Sequence, residues 1–302
     1  MTADSKAMAK KKKSSYPHRR IAVVYDFDGT LSPNNMQEDT IFHAYGIDKD
    51  KFWKKADGLV RSGYERTLAY LSLLIRDPIF QAKPLKRAAL KQLARRIRYF
   101  PGVLSYFDHI DRFVRAIPEA REWGVEIEHY VISSGLKEIL EGTKVFRRFK
   151  RVYACEYAYE HGAPVFPKLV INDTNKTQFL FRINKGRLDM TQDINDHMPE
   201  SERRIPFRNM VYIGDSVTDI PSMTVVERYG GQAIAVFDPK LGVNAKVKKL
   251  VCDRRVSHFA PADYRSGSLL VKIIRRTLKK IICDISLEAS AAMSCDWVGR
   301  HS

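Results

Sequence analysis

No C-x-x-C pair occurs in this sequence. Its four cysteines, Cys155, Cys252, Cys283 and Cys295, stand far apart and form no metal-like cluster. That excludes a zinc ribbon and a redox dithiol, and reads as reduced, mostly structural thiols in a reducing compartment. Long apolar runs are also missing, and none approaches the ~18 residues of a membrane span. Behind the lysines Lys10 to Lys13 comes SSYPHRR, not the apolar core of a signal peptide. These absences point to a cytoplasmic chain with no membrane span. Acids are the scarcer charge, 35 Asp+Glu against 52 Lys+Arg, for a formal net charge of +17. Such a balance attracts anions, whether phosphorylated metabolites, nucleic acid or membrane surfaces, without choosing among them. An ordinary solvated surface has the same composition.

What is present is enough apolar material for a real core: 44% hydrophobic residues in a chain of 302. Helix-like and strand-like segments alternate, which favours an α/β fold. RRIAVVYDF opens with a short branched apolar run, read as a buried parallel strand. From SPNNMQED to about Arg98 the chain reads as helical. Within that block Leu90, Leu93, Ala94 and Ile97 form one stripe, and Arg87, Lys91, Arg95 and Arg98 form another. Between Lys83 and Arg98 there are seven basic residues and no acid. FPGV at 100–103 turns the chain into a helix expected from Leu104 to about Ala120. A hairpin is predicted around EHGAP, a helix over NKTQFLFRINKG, an irregular polar stretch over 187–206, and a last strand at GQAIAVF.

Three strands, 21–25, 128–132 and 209–213, are each expected to end in a polar turn that leads to a helix. In open parallel sheets, ligands bind outside the carboxyl ends of the strands. The polar residues collect there. In VVYDFDGTLS, Asp26 and Asp28 are two apart, so an extended backbone aims both at one point. Unpaired, that arrangement is repulsive, and a divalent cation relieves it. GDSVTD adds Asp215 at a strand end and Asp219 one helical turn later. Either acidic turn alone also reads as aspartates favoured at a helix start. The pair at matched strand ends reads as a cation site. In VISSGLKEI, Ser133 ends a strand and Ser134 with Gly135 is expected to open a helix, whose free N–H groups bind anions; an ordinary N-cap is the alternative. Lys176 begins a helix, where a cation opposes the dipole, so it either serves another purpose or is a surface lysine.

The ordered set DFDGT, VISSG, Lys176 and GDSVTD resembles the four motifs of the haloacid dehalogenase (HAD) superfamily, most closely its phosphoserine phosphatase-like branch. The resemblance implies a Rossmann-like doubly wound parallel sheet with an inserted helical cap. It divides the chain into a basic disordered tail over 1–18, a catalytic core over 19–32 and 101–265, a helical cap over 33–100, and a C-terminal basic helix and tail over 266–302. It implies an Mg²⁺-dependent phosphatase that forms an aspartyl-phosphate on Asp26. Asp28 would be general acid and then base, oriented by Thr30. Ser133, Ser134, Thr30 and Lys176 would lie at the phosphoryl group, with Lys185 as the alternative lysine. Asp26, the Asp28 carbonyl and Asp215 would hold Mg²⁺, with Asp219 in support. In SPNNMQED, Asn35 stands near the position where phosphoserine phosphatases carry a substrate-binding glutamate, and Glu38 comes later. That stretch and the cap are expected to face the leaving group.

The expected substrate is a small phosphorylated metabolite. A dehalogenase would need neither Asp28 nor Asp215. A P-type pump would need membrane helices. The remaining alternative is a non-catalytic anion- or nucleic-acid-binding protein on the same fold. No base-reading module supports it, and such a protein has no physical need for Asp28.

Overall fold

The computed structural model describes residues 16–242 and 255–301. Most of the expected basic tail, and Cys252, lie outside the described residues. So does the side chain of Cys295. Cys155 is free and buried, and Cys283 is free and half-buried.

A seven-stranded sheet forms the centre. Its strands are β1 (Arg20–Tyr25), β2 (Glu126–Leu136), β3 (Arg151–Glu160), β4 (Ala163–Leu169), β5 (Met210–Gly214), β6 (Gln232–Phe237) and β7 (His258–Pro261), in the spatial order β4-β3-β2-β1-β5-β6-β7. All neighbours are parallel except β3 and β4, which make the expected hairpin. Helices cover both faces, so β1 is buried from Ile21 to Tyr25 and needs an unbroken apolar run. Tyr25 pairs with Val131 of β2 on one side and Ile213 of β5 on the other. The connections leave β1 in opposite directions, so its carboxyl end is the switch point where open sheets of this kind bind ligands.

Between β1 and α5 lies the helical block. It begins with short turns over Glu38–Phe42 and His43–Tyr45 and continues as α1 (Lys49–Arg61), α2 (Arg66–Arg76), α3 (Pro78–Ala82) and α4 (Arg87–Leu93). Its helix starts are encoded locally. Asp48 accepts from the Lys51 N–H (3.0 Å), Glu65 from Leu68 (2.8 Å), and Asp77 from Ile79 (3.2 Å) with Pro78 behind it. The apolar faces of α1 and α2, with Phe52, Ala56, Tyr70, Leu71 and Leu74, join the main core.

The sequence expectation differs from the structure in four places. The helix after FPGV, α5 (Val103–Ala116), stops before Pro118, which cannot continue it and instead opens α6 (Pro118–Trp123). Strand β2 runs on through Leu136, and only a four-residue helix follows, α7 (Lys137–Leu140). GQAIAVF is not the last strand, because the short edge strand β7 pairs with β6. After α8 (Lys176–Lys185) and α9 (Ile220–Arg228), the final helix α10 (Leu269–His301) is no mere basic appendage. Leu270, Val271, Ile274, Leu278, Ile281, Ile282 and Ile285 are all buried in the core, while Lys272, Arg276, Lys279 and Lys280 face solvent.

Four buried or half-buried tyrosines fasten elements by donating their phenols to main-chain carbonyls. Tyr70 reaches Ser134 (2.5 Å), Tyr153 reaches Leu188 (2.9 Å), Tyr157 reaches Leu71 (2.8 Å) and Tyr264 reaches Thr30 (2.8 Å). Two of these, Tyr70 and Tyr157, join α2 to the sheet. Among the described residues, no helix is long and apolar enough to cross a membrane.

Candidate active site

Sheet pairing continues one residue past β1, where the Asp26 N–H donates to the Ile213 carbonyl (2.9 Å). The chain then turns sharply. The N–H groups of Thr30, Leu31 and Ser32 all converge on the Phe27 carbonyl (3.2, 2.8 and 3.1 Å). Gly29 makes this possible. Its φ is +75°, and a Cβ there would lie 2.2 Å from Asp215 Oδ2. The glycine after the second aspartate is thus what lets the two acidic turns touch.

Asp26 is held at both oxygens. Oδ1 accepts from the Phe27 N–H (2.8 Å), and Oδ2 lies 3.2 Å from Lys176 Nζ. Asp28 Oδ1 accepts from the Met36 N–H (3.0 Å). Lys176, the first residue of α8, has no exposed surface and also donates to Asp219 Oδ1 (2.8 Å). Asp219 is fully engaged: Oδ1 also takes the Tyr212 hydroxyl (2.7 Å), and Oδ2 takes the Ser216 N–H and hydroxyl (3.3 Å each). A Cβ on Gly214 would meet the Asp219 carboxyl carbon at 2.6 Å, so this glycine too marks a close approach.

Asp26, Asp215 and Asp219 each offer a carboxylate oxygen within 4.8 Å of the others. The Asp28 carboxyl is not in this trio. Burial pushes Asp26 up to about 7, against the pull of Lys176. Burial also raises Asp28, helped by the charge of Asp26, and raises Asp215, helped by Asp219. For Lys176 burial opposes the charged form, but Asp219 and Asp26 outweigh it and hold the ammonium well above its ordinary value. Three carboxylates around one ammonium leave two negative charges uncompensated if all ionise. That donor set, all oxygen and short of positive charge, fits a hard divalent cation.

The other predicted residues are placed as follows. Ser133, Ser134 and Gly135 line the same cleft as Asp26, Asp28 and Asp215. Ser133 sits inside β2, however, and its hydroxyl accepts from the Gly135 N–H (3.0 Å). The expected helix start is therefore absent at Ser134, and the dipole argument made for it falls. The hydroxyl and the backbone remain. Thr30 is fully buried, stands outside the cleft wall and turns its hydroxyl toward Asp215 Oδ1 (3.5 Å) rather than Asp28. Its placement as a phosphoryl or Asp28 contact is corrected accordingly. Lys185 is also settled. Its Nζ donates to the carbonyls of Ile194 (2.5 Å) and Asp196 (2.7 Å), holding the polar stretch rather than facing Asp26.

The cleft encloses about 370 Å³. Sequence reasoning gave no individual role to Trp53, Tyr70 or Thr218, which line it. Trp53 and Tyr70 sit on amphipathic helices, where an aromatic reads as core. Only the fold shows that the core face of α1 and α2 also meets the strand ends.

Comparison with known proteins follows the same lines. An uncharacterized protein of Borreliella burgdorferi is 30% identical over 275 residues, covering 83% of this chain and 93% of that one. A HAD-family hydrolase from Salmonella enterica serovar Typhi superposes with a TM-score of 0.53 at 15% identity, over 81% of this chain and 68% of that one. A phosphoserine phosphatase solved as a phospho-aspartyl intermediate analogue gives a TM-score of 0.53 at 16% identity, over 85% and 98%. These two structures share the fold. The sequence profile of the haloacid dehalogenase-like hydrolases matches residues 23–224, from the strand that carries Asp26 to the helix behind Asp219, and the chain belongs to that family.

Proposed function

We propose that this protein hydrolyses phosphate monoesters, with Mg²⁺, through an aspartyl-phosphate on Asp26. The observation that carries the reading is the convergence of Asp26, Asp28 and Asp215 on one cleft at the switch point, with Lys176 behind Asp26. Membership of a hydrolase family supports it, as does a fold shared with phosphoserine phosphatases.

Asp26, the Asp28 carbonyl and Asp215 would hold Mg²⁺, whose charge offsets that of the phosphoryl oxygens. The remaining work falls to the chain's own groups. Lys176 and the Phe27 N–H fix the Asp26 carboxylate for in-line attack. One Asp26 oxygen bonds to phosphorus as the ester P–O bond breaks. Asp28, kept protonated by burial and by the neighbouring Asp26, gives its proton to the departing oxygen. It then takes a proton from water as that water attacks the aspartyl-phosphate. Inorganic phosphate leaves and Asp26 is restored. The Ser133 hydroxyl, at the far wall, donates to a phosphoryl oxygen. Asp219 positions Lys176 and takes no part as a ligand, since both its oxygens are already bonded.

The test is hydrolysis of 4-nitrophenyl phosphate by purified protein with Mg²⁺ and with excess EDTA, beside Asp26→Asn. Turnover should need the cation and vanish in the variant, because an amide is a far poorer nucleophile. Near wild-type hydrolysis by Asp26→Asn would end the assignment.

A further inference from the structure

The chain carries a formal charge of +17, yet none of the described residues lining the cleft is lysine, arginine or histidine. Its charged lining is acidic throughout: Asp26, Asp28, Asp215 and Glu38. The first three belong to the chemistry. Glu38 does not, because it stands on the wall that faces the departing half of a substrate, with Asn34, Asn35, Trp53 and Tyr70.

Glu38 is held in place but not used up. Its Oε1 accepts from the Trp53 indole N–H (2.9 Å) and from the Asn35 amide (2.9 Å). No donor among the described residues reaches Oε2. The nearby Arg98 does not neutralise it, since its guanidinium pairs with Asp39 (2.9 Å). The indole is fixed in turn by an aromatic file. The Trp53 ring lies 5.3 Å from Phe52, 5.7 Å from Phe42 and 6.0 Å from Tyr70, centre to centre.

A leaving group with a carboxylate or a second phosphate would set a further anion beside Glu38 with no counter-charge. An ammonium finds the reverse: a free carboxylate oxygen and aromatic faces, both of which attract a cation. Resting on the phosphatase reading above, we propose that the substrate is the phosphate monoester of a small amino alcohol, with a cationic ammonium and no carboxylate. Water adds across the P–O bond, and the free amino alcohol leaves with inorganic phosphate.

The experiment compares kcat/KM of the full chain with Mg²⁺ on phosphoethanolamine, on its neutral analogue 2-hydroxyethyl phosphate, on phosphoglycolate and on 4-nitrophenyl phosphate. Phosphoethanolamine should exceed the neutral ester by at least about tenfold and the carboxylate ester by about a hundredfold. In Glu38→Gln the first ratio should fall to about one or two, since the ammonium loses its charged partner. Should that variant fail to fold, inhibition of the wild type decides: ethanolamine should compete with substrate and glycolate should not. If the aryl phosphate is turned over but phosphoglycolate equals or beats phosphoethanolamine, this inference falls and the phosphatase reading stands. If no ester is hydrolysed, with or without Mg²⁺, the phosphatase reading falls and takes this one with it.

Discussion

Lys176 and Asp26 meet at 3.2 Å at the carboxyl end of β1, both shielded from solvent. The lysine is the sole cation that the described residues place against the acid trio. Lys176→Met should therefore destabilise the metal-free protein by about 3–5 kcal/mol at pH 8, the range for removing one partner of a buried pair. At pH 5 the loss should be smaller, because the carboxylates can take up protons. Urea unfolding with EDTA at the two pH values checks this. A variant as stable as wild type at pH 8 would contradict it.

The raised carboxyls predict how pH and metal act together. Asp26 at about 7, with Asp28 and Asp215 also above the ordinary 3.8, means that the native state holds protons more tightly than the unfolded chain. Their contribution to stability is complete below the unfolded value and is lost as pH rises through the folded ones. Metal-free protein should thus lose stability between pH 5.5 and pH 8. Mg²⁺ competes with those protons, so it should raise Tm more at pH 8. Scanning calorimetry with EDTA and with Mg²⁺ at both pH values decides. Equal metal-induced shifts, or none, would count against the site.

Gly29→Ala tests the contact between the two acidic turns. The new methyl would sit 2.2 Å from Asp215 Oδ2 at a φ of +75°. Asp215 must swing away, and the backbone strain adds ~1–2 kcal/mol. We expect Mg²⁺ affinity, read by calorimetric titration, to weaken at least about tenfold in a folded protein. Wild-type affinity would mean that Asp215 is not a ligand.

Asp28→Asn keeps an oxygen for the Met36 N–H and so should keep the turn. It loses the proton donor and the later base, for a fall of ~10²–10⁴ on an alkyl phosphate. An aryl phosphate, with a better leaving group, should give a burst of about one phenol per enzyme and a trapped phospho-enzyme. Rapid quench reads this directly. Equal slowing of alkyl and aryl esters without phospho-enzyme would refute the division of labour between Asp26 and Asp28.

The basic stripe of the helical block leads to a different expectation from the one its sequence invites. Arg87 lies 3.2 Å from Glu141 and Lys91 lies 2.7 Å from it, and Arg87 also approaches Glu156 (3.8 Å). These cations join α4 to the sheet side rather than steering substrate. Arg87→Gln with Lys91→Gln should cost no more than about 1 kcal/mol, since both are half-exposed, and less at high salt. The salt dependence of kcat/KM should stay as in wild type. A flattened salt dependence would restore the steering role.

Strands and acidic turns were legible because the signals are local. A buried parallel strand needs an apolar run, and a carboxylate at its end is visible in the same few residues. Lys176 was legible because it sits at a helix start, against the dipole. The continuation of β2 past Ser133 was not, since Ser-Gly reads equally as strand end or cap and only pairing with β3 separates them. The four-residue edge strand β7 carries too few residues for a periodic signal. Trp53, Tyr70 and the set of Glu38 were hidden for another reason. Their meaning depends on which helix face lands over which strand, and no window of sequence contains both.

The tyrosine fastenings bear on how such a site can change over time. Tyr70, Tyr153, Tyr157 and Tyr264 all grip carbonyl oxygens, and every residue type supplies a carbonyl. The side chains at Ser134, Leu188, Leu71 and Thr30 can therefore drift without loosening the grip. A lineage that inherits this frame is free to exchange the residues at the cleft mouth one at a time. New leaving groups can then be recruited while the phosphoryl end stays in register.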